Sequence, residues 1–472
     1  MNINLAKSEI IHFVGIGGIG MSGLALIMKG LGFQIQGSDK SLNKNVERLK
    51  KNNIKFSLGH ASSNIKKATI LVISSAIKNN NPEIKEAKKK NLPIYKRGDM
   101  LAHITSLKKN IVVSGSHGKT TTTSLIASIF AKANLDPTII NGGVINSLDN
   151  SAKLGKSEWS ILESDESDGS FVKVPSTYAV VTNIDREHMD YYKSLDDLKR
   201  NFIRFMKKVP SFGKTFICID DKNNKQVYNQ IKIKNILTYG FNKNSNFKIK
   251  NTSYFKNKSF FDIEMCLPNK KKMNLRKFEI PLIGSHNVKN ATAAIAVSYF
   301  IGIPLSVLKK SLKDFKGVER RFNKVFSYNG ADIYDDYAHH PTEIKEVIAG
   351  VRNSYKEKKI ICIFQPHRIS RLNDLKKDFC LSFKKANSVI LCPVYKAGEK
   401  MKLDLNYYNF SKKIAKESKV QVFLVNNQYE LAKFLKQYLN PESIAIGMGA
   451  GSISNWIKEL PNLIKNDFKK PR

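Results

Sequence analysis

The chain has 472 residues, of which 42% are hydrophobic and 25% charged, as is typical of a globular protein of about three domains. No apolar run approaches the roughly 20 residues that span a membrane, no secretory signal is visible, and the five cysteines show no paired spacing, so we expect a cytoplasmic protein without membrane insertion. The net charge of +39 comes mostly from lysines spread along the whole chain, and this pattern favours a solvated surface over nucleic-acid binding.

The first apolar run, IIHFVG, leads into a glycine loop, GIGGIG, at residues 15–20. A helix is predicted from about residue 21 to 31, and Asp39 ends the following strand, 19 positions after Gly20. This pattern predicts a diphosphate at the helix N-terminus and a ribose hydroxyl near the acid. A dinucleotide and a nucleoside diphosphate sugar both satisfy it, so the residues leave these two ligand classes open.

A second glycine loop, GSHGKT at residues 115–120, lies between the strand NIVVS and an apolar-periodic helix. Its glycines let backbone N–H groups face a phosphate, and the helix N-terminus adds about half a positive charge. Lys119 can reach the β- and γ-phosphates, and the Thr120 hydroxyl can bind Mg²⁺. The spacing departs from the usual phosphate loop because Val113 occupies the first glycine position, but the pattern still predicts an ATP site.

Acidic groups follow two further strands. ESDESD at residues 163–168 places four acids together in a chain with almost twice as many basic as acidic residues. DREHMD, after the strand YAVVTN, adds His188 and three acids, the last of them Asp190. Carboxyl ends of parallel strands meet at one edge of a sheet, where carboxylates can hold a Mg²⁺-nucleotide. We therefore predict a metal–nucleotide site there, with His188 as a ligand.

Strand-like and helix-like segments alternate along the chain, and the alternation restarts at KKNIVVSG and again after GVERRF. This order predicts an α/β fold with parallel sheets. We expect a Rossmann-like domain at 1–107, a central phosphate-loop ATPase-like domain at 108–320, and a Rossmann-like, doubly wound domain at 321–472. Alternating strands near residues 211–280 predict a small antiparallel patch on the central parallel sheet.

Arginine is scarce, since it supplies 12 of the 79 basic residues, yet four arginines fall in two short segments. They are Arg320, Arg321, Arg368 and Arg371. A guanidinium offers a planar fork for carboxylate or phosphate that lysine cannot copy. These segments are therefore predicted to bind anionic groups.

Six segments, in this order, resemble the Mur ligases: GSHGKTTTT, ESDESDGSF, TNIDREHMD, GSHNVKNATAA, DDYAHHPTE and FQPHRISR. The resemblance runs from about residue 10 to 455. It implies an enzyme that joins a carboxylate to an amino acid with ATP and Mg²⁺. The GIGGIGMSG and DDYAHHPTE segments point to the member that adds L-alanine to the lactyl carboxylate of UDP-N-acetylmuramate, the first amino-acid addition to the peptidoglycan precursor. The partners would be these small molecules, and the protein a monomer or homodimer.

The resemblance also implies a role for individual residues. The third domain would close on the nucleotide and hold substrates. The ATP-binding residues would be Gly115, Ser116, His117, Gly118, Lys119, Thr120, Thr121, His286, Asn287, Asn290, Arg321 and Asp335. Thr120 and Glu163 would bind one Mg²⁺ and His188 a second. The catalytic residues would be Lys119, His188, His339, Arg368 and Arg371. The base that takes the proton from the amine stays open, with His339 as one candidate.

For the first loop, the resemblance implies that it holds the UDP of the sugar nucleotide rather than NAD. The UDP-binding residues would be Gly15, Gly17, Gly18, Gly20, Ser38, Asp39 and Ser75. Three alternatives remain open: a ligase that reattaches a recycled murein tripeptide to the same UDP-sugar, a folylpolyglutamate-type ligase, and an NAD-sensing or nucleic-acid-binding regulator. The acid cluster and His188 have no use in the last of these.

Overall fold

The computed structural model of the protein describes residues 8–189, 191–268, 271–399 and 406–465. Three sheets follow one another along the chain, which confirms the predicted three-part α/β fold. Contacts divide the chain into two compact units. The first comprises Met1–Asn251, Phe261–Glu279 and Lys289–Lys316, and the second comprises Thr252–Phe260, Ile280–Val288 and Gly317–Arg472. The domain boundaries near 107 and 320 stay predictions.

The first sheet consists of parallel strands with helices between them. In chain order the elements are β1 (Ile10–Val14), α1 (Ile19–Gly30), β2 (Gln34–Asp39), α2 (Lys44–Lys51), β3 (Lys55–Leu58), β4 (Ile70–Ile73), α3 (Pro82–Lys89), β5 (Ile94–Lys96) and α4 (Arg97–Thr105). The strand order is β3-β2-β1-β4-β5. Strands β1 and β4 are almost wholly apolar, as expected where both faces of a parallel sheet are covered. The carboxyl ends of β1 and β2 therefore place the first glycine loop and Asp39 at the same edge.

The second sheet is larger and mixed. Its elements are β6 (Lys109–Ser114), α5 (Lys119–Lys132), β7 (Thr138–Ile145), β8 (Asn150–Lys153), β9 (Trp159–Glu163), β10 (Tyr178–Val181), α6 (Leu195–Lys207), β11 (Lys214–Cys218), α7 (Lys222–Gln230), β12 (Ile236–Gly240), β13 (Phe247–Phe255), β14 (Lys258–Met265), β15 (Met273–Ile280), α8 (Ser285–Ile301) and α9 (Leu305–Lys313). The order is β15-β14-β13-β12-β11-β10-β6-β9-β7-β8. Two residues join β13 to β14, so these neighbouring strands run antiparallel and form the predicted patch.

The third sheet has parallel strands and one antiparallel edge. Its elements are β16 (Asn323–Tyr328), β17 (Ala331–Asp336), α10 (Pro341–Ser354), β18 (Lys359–Phe364), α11 (Ile369–Asp374), α12 (Lys376–Cys380), β19 (Ser388–Leu391), α13 (Tyr407–Ser418), β20 (Gln421–Leu424), α14 (Gln428–Tyr438), β21 (Ser443–Met448) and α15 (Ile453–Lys465). The order is β16-β17-β21-β18-β19-β20. The sequence prediction missed β16, which pairs antiparallel with β17 through Asn329 and Gly330, both at positive φ. Asn-Gly is a strong signal for such a hairpin.

Apolar side chains fill both faces of the third sheet, one set under α10 to α13 and the other under α14 and α15. In the first unit a single apolar cluster runs from α1 and β1 to α6, so the first two sheets share buried contacts. Among the described residues no helix combines the length and hydropathy that crossing a bilayer requires.

Candidate active site

The second glycine loop connects β6 to α5 in a conformation that requires its glycines. Gly115 and Gly118 have φ of 135° and 82°, a region that favours glycine. A Cβ on Gly118 would come within 2.6 Å of Asn290 Oδ1, and one on Gly115 would collide with Thr182. Asn290, predicted to bind ATP, therefore lies beside the phosphate loop. Helix α5 begins immediately after Gly118, so its first N–H groups face the same space.

Lys119 is held by its own loop and by the acid cluster. Its Nζ donates to the Gly115 carbonyl at 2.6 Å and to the carboxylate of Glu166 at 2.8 Å. Burial lowers the pKa of Lys119, but the charges of Glu166, Asp165 and Glu163 outweigh it and raise that pKa well above its usual value. Burial also raises the pKa of Glu166, to about 7, against the attraction of Lys119. The ammonium is thus permanently charged in a mostly desolvated position.

Thr120 and Glu163 form an oxygen-rich pair at the ends of two neighbouring strands. The Thr120 hydroxyl donates to Glu163 Oε1 at 3.1 Å, and the Gly142 N–H donates to Glu163 Oε2 at 2.6 Å. Burial raises the pKa of Glu163, and the Lys119 charge opposes that rise. A hydroxyl and a carboxylate are hard oxygen donors of the kind that Mg²⁺ prefers.

His188 lies in a second group of potential metal ligands. One atom each of Asp165, Glu166 and His188 fall within 4.8 Å of one another. Glu166 Oε1 is buried and has no hydrogen-bond partner among the described residues, and His188 Nε2 lies 3.8 Å from it. The left-handed backbone of His188, with φ of 57°, is fixed by a turn in which Tyr192 N donates to its carbonyl. The Tyr192 hydroxyl in turn donates to the Glu166 carbonyl at 2.5 Å. Asp190 lies outside the described residues.

The remaining predicted residues of this loop have structural partners. His117 N donates to Asn183 Oδ1 at 2.9 Å, and His117 Nε2 lies 3.0 Å from Asp185 Oδ2. The hydroxyl of Ser116 accepts from Asp185 N at 2.8 Å. Thr121 is buried in the first turn of α5. The DREHMD segment therefore fastens the phosphate loop in place.

In the second unit, histidine and arginine side chains gather near the start of α10 and α11. His339 Nδ1 lies 3.1 Å from Glu343 Oε2, and its ring meets His367 edge-on at 5.8 Å. His367 stacks on Tyr395 and accepts at Nδ1 from Arg371, 3.2 Å away. Burial, and then the charges of His339 and Arg371, lower the pKa of His367 to about 3. The His367 ring is therefore neutral, with its proton on Nε2, where it can donate.

Arg368 has a strained backbone that its neighbours hold in place. Its φ of 68° and ψ of 134° are unfavourable for a residue with a side chain, by about 1–3 kcal/mol. Its N–H donates to the Tyr395 carbonyl at 2.9 Å. The Glu399 carboxylate accepts from Ile369 N at 2.7 Å and from the Ser370 hydroxyl at 2.6 Å. These contacts bind the loop after β19 to the predicted arginine segment.

Asp335 is buried and hydrogen-bonded within the second unit. Its Oδ2 accepts from the Ser454 hydroxyl at 2.6 Å and lies 3.7 Å from Arg320 Nε. The guanidinium groups of Arg320 and Arg321 lie over the Tyr337 ring, at 4.8 and 5.2 Å from its centroid. The contact of Arg321 and Asp335 with ATP stays a prediction.

Helix α8 carries residues of both compact units. Asn287 Nδ2 donates to the Ile283 carbonyl at 2.8 Å, and His286 Nδ1 lies 3.7 Å from Glu346 Oε2. These two predicted ATP contacts belong to the second unit, whereas Asn290 belongs to the first. The structure therefore brings Asn290, but not His286 or Asn287, together with the phosphate loop inside one unit.

The first glycine loop is fixed by neutral and acidic hydrogen-bond partners. Gly15 has φ of 81°, and Gly17 N donates to Asp39 Oδ2 at 2.8 Å. Asn45 Nδ2 donates to the Gly17 carbonyl at 2.9 Å. Helix α1 begins after Gly18, and the exposed Ser75 follows β4 at the same edge of the sheet. Asp39 therefore braces the loop as well as standing at the predicted ribose position.

Ser38, predicted to contact UDP, is fully buried in a polar cluster that sequence analysis missed. Its hydroxyl donates to Glu83 Oε2 at 2.7 Å and lies 3.0 Å from His60 Nδ1. Glu83 Oε1 accepts from Asn64 Nδ2 at 2.7 Å and lies 3.5 Å from His12 Nε2. Burial raises the pKa of Glu83, but the hydrogen bonds from His12, Asn64 and Ser38 lower it overall. This cluster joins the end of β2 to the start of α3 by hydrogen bonds.

Comparison with known proteins finds matches to all three parts of the chain. Three family profiles match in succession: "Mur ligase family, catalytic domain" at residues 10–109, "Mur ligase middle domain" at 113–298, and "Mur ligase, glutamate ligase domain" at 320–451.

The chain belongs to the Mur ligase family.

Relatives in this family share most of the chain. A UDP-N-acetylmuramate–L-alanine ligase of Pelagibacter ubique is 65% identical over 98% of this chain and 100% of its own length. The enzyme of the same name from Bartonella bacilliformis is 40% identical over 96% of this chain and 95% of its own. The crystal structure of the UDP-N-acetylmuramate–alanine ligase from Thermotoga maritima superimposes with a TM-score of 0.80 at 25% identity, covering 96% of this chain and 99% of that one. A murein peptide ligase from Psychrobacter arcticus shares the fold, with a TM-score of 0.72 at 20% identity over 98% of this chain and 100% of its own.

Two residues of this Mur ligase chain were missed by sequence analysis although they organise the arginine segment of the second unit. His367 stands inside the quoted segment FQPHRISR, so its signal was available beside Arg368. Glu399 had no local signal, because its partners Ile369 and Ser370 lie about 30 positions earlier.

Proposed function

We propose that the protein joins L-alanine to the lactyl carboxylate of UDP-N-acetylmuramate and converts ATP to ADP and phosphate. The observation that carries the proposal is the second glycine loop, in which Lys119, Thr120 and Glu163 converge at a helix N-terminus in a chain of this family. The first loop offers a separate place for a diphosphate. A cytoplasmic location fits these substrates, and a monomer or homodimer stays our expectation.

The chemistry requires an activated carboxylate, because a free carboxylate has no adequate leaving group. In the proposed reaction a lactyl oxygen attacks the γ-phosphorus of ATP, and ADP leaves. The L-alanine amine then attacks the acyl carbon, and phosphate leaves with the lactyl oxygen. Lys119 would neutralise charge on the transferring group from a nearly dry position, where an ammonium acts more strongly than in water.

The residues present fit Mg²⁺. Thr120 and Glu163 supply oxygen donors, and Glu166 Oε1 is a buried oxygen with no hydrogen-bond partner in the described part of the chain. Thr120 and Glu163 would hold one ion, and His188 a second beside Glu166. Bound Mg²⁺ would neutralise negative charge on the phosphates.

The second unit would bind the amine substrate. Arg368 and Arg371 offer guanidinium groups for a carboxylate, and His367 offers a neutral Nε2–H donor next to them. His339, whose Nδ1 lies 3.1 Å from Glu343, stays a candidate for accepting a proton from the ammonium of L-alanine. Contact of Asp335, Arg321, His286 and Asn287 with ATP is part of the same proposal.

A labelled-substrate experiment tests the reaction. Radiolabelled L-alanine should enter a UDP-linked product only when ATP, Mg²⁺ and UDP-N-acetylmuramate are all present. With an ¹⁸O-labelled lactyl carboxylate, one ¹⁸O atom should appear in the released phosphate. Label that stays wholly in the amide product would contradict the acyl-phosphate route.

The acceptor decides between the proposal and the tripeptide-recycling alternative. Both reactions use the same UDP-sugar and the same ATP chemistry, so only the amine differs. Measuring kcat/KM with L-alanine and with a murein tripeptide separates them directly. A clear preference for the tripeptide would overturn the proposed substrate but leave the ligase chemistry intact.

A further inference from the structure

Arg97 lies against the first glycine loop. It is the first residue of α4, directly after β5. A Cβ placed on Gly20 would be 3.3 Å from an Arg97 Nη atom and 3.4 Å from Arg97 Cδ. The Arg97 side chain therefore packs against Gly20 in the first turn of α1. This is the end of the 12-residue helix at which backbone N–H groups attract anions.

The N–H donors of the Arg97 guanidinium have no acceptor among the described residues. Within residues 8–189, 191–268, 271–399 and 406–465, no side chain or carbonyl accepts a hydrogen bond from it or forms an ion pair with it. Two other half-buried arginines do have acceptors: Arg48 donates to Asn150 Oδ1 at 3.1 Å, and Arg320 donates to the Gly449 carbonyl at 2.5 Å. The N–H donors of Arg97 are therefore available to a ligand at the start of α1.

The start of α4, which carries Arg97, is fixed in position by contacts of the next two residues. Gly98 packs directly against Ser170. Asp99 pairs with Lys173 at 2.6 Å. Both partners follow the acid cluster ESDESD along the chain, so α4 is anchored between the first glycine loop and that cluster.

The first glycine loop has no positive charge of its own, since residues 15–20 contain no basic side chain. By itself the loop offers a diphosphate only backbone N–H groups and the partial charge of the helix. The guanidinium of Arg97, next to Gly20, adds a full positive charge there.

We propose that Arg97 binds the diphosphate of the nucleoside diphosphate sugar, with its planar fork donating to phosphate oxygens beside the first turn of α1. The inference rests on the proposed function, because that function places the UDP group at the first loop. Arg97 thus supplies the positive charge that the loop GIGGIG lacks. Lysine would keep the charge but not the two parallel donors.

Calorimetric titration of the full-length protein with UDP and with UMP tests this assignment. Loss of a charge-assisted contact to the diphosphate should weaken UDP binding to Arg97→Ala by about 10–100-fold. UMP lacks the second phosphate, so its affinity should fall by no more than about 3-fold, and the UDP/UMP affinity ratio should shrink. Arg97→Lys should fall between the wild type and Arg97→Ala. Arg200→Ala is the matched control, because Arg200 lies on α6 and pairs with Asp197 in its own helix.

Each outcome is decisive. Equal loss of UDP and UMP affinity, or unchanged UDP affinity in both Arg97 variants, overturns the assignment. A fall in kcat with unchanged UDP affinity also overturns it, because the guanidinium would then act on the reacting carboxylate. If the wild-type protein does not bind UDP, the proposed function fails rather than this inference. If Arg97→Ala melts far below the wild type, the UDP and UMP affinities of Arg97→Lys decide instead.

Discussion

The two glycine loops have the same backbone construction, but the first is uncharged and the second is surrounded by charged groups. Each follows a buried parallel strand and opens a helix, and each needs a glycine at positive φ. The first, at residues 15–20, contains no charged residue and is braced by Asp39 and Asn45. The second contains Lys119 and is surrounded by desolvated carboxylates whose pKa values are displaced, such as Glu166.

This difference is the one expected between a loop that only binds a phosphate group and a loop at which a phosphoryl group is transferred. A helix N-terminus with its backbone N–H groups, supported by a nearby guanidinium, can hold a diphosphate that does not react. Phosphoryl transfer additionally requires fixed charge where new charge develops, and groups with displaced pKa values cluster at such sites. The comparison predicts that changes at the second loop act on kcat and that changes at the first act on KM for the UDP-sugar.

Lys119→Ala is expected to have the largest effect. Removing a preorganised charge from the transferring phosphoryl group should lower kcat on the order of 10²–10³-fold, with a much smaller change in KM for the UDP-sugar. ADP release under saturating substrates measures it. Lys108→Ala, which removes a lysine bonded to the Ser157 carbonyl in the same unit, is the control and should stay near wild-type kcat. Wild-type turnover by Lys119→Ala would contradict the prediction that changes at the second loop lower kcat.

Gly118→Ala should be the next most damaging change. Its backbone is left-handed and the added Cβ would meet Asn290 Oδ1 at 2.6 Å, so the loop has to move. We expect kcat/KM for ATP to fall about 10–100-fold, as for a catalytic misplacement of about 1 Å. Gly59→Ala provides a matched control, since Gly59 has φ of 81° but no atom within 4 Å of the added Cβ. Equal loss in both variants would point to backbone strain alone.

Glu83→Gln should affect stability more than chemistry. The pKa of the Glu83 carboxyl is below its ordinary 4.5 in the folded chain, so its stabilisation is present above that pH and is lost as the pH falls below it. The variant should unfold more easily at pH 7, by about 3 kcal/mol, and its stability should fall less steeply than that of the wild type as the pH drops below about 4.5. Thermal melts across that range measure both. Glu86→Gln, on the same helix but beside Lys90 at 3.6 Å, should behave like wild type.

Asp39→Asn should give the smallest effect. The amide oxygen still accepts from Gly17 N, so KM for UDP-N-acetylmuramate should rise only about 3-fold, against about 10-fold for Asp39→Ala. In both variants kcat should be unchanged. Steady-state kinetics with varied UDP-sugar give the two constants separately. A drop in kcat for Asp39→Asn would show that the first loop does more than hold its ligand.

Local patterns accounted for most of the fold and for the centres of both loops. Continuous apolar strands, glycine spacing and helix periodicity are set by neighbours in the chain, so Gly118, Lys119 and Glu163 could be located from sequence. The strand β16 was missed even though its Asn329-Gly330 turn is a local signal. That error came from incomplete use of the sequence rather than from lack of information.

Other features depend on contacts that no local pattern contains. Glu399 reaches the start of α11 from about 30 residues away, and Glu83 meets Ser38 from 45 positions away. The raised pKa of Glu166 follows from burial, which the letters ESDESD do not reveal. Asp335 is hydrogen-bonded to Ser454 in α15, which lies 119 positions later in the chain.

The anchoring of Lys119 to the Gly115 carbonyl and to Glu166 has a consequence for inhibitor design. A compound that separates Lys119 from those contacts has to offer it an anionic group in their place, or leave a buried ammonium uncompensated at about 3–5 kcal/mol. Uncharged competitors of ATP are therefore expected to bind away from the phosphate loop and to gain their affinity elsewhere.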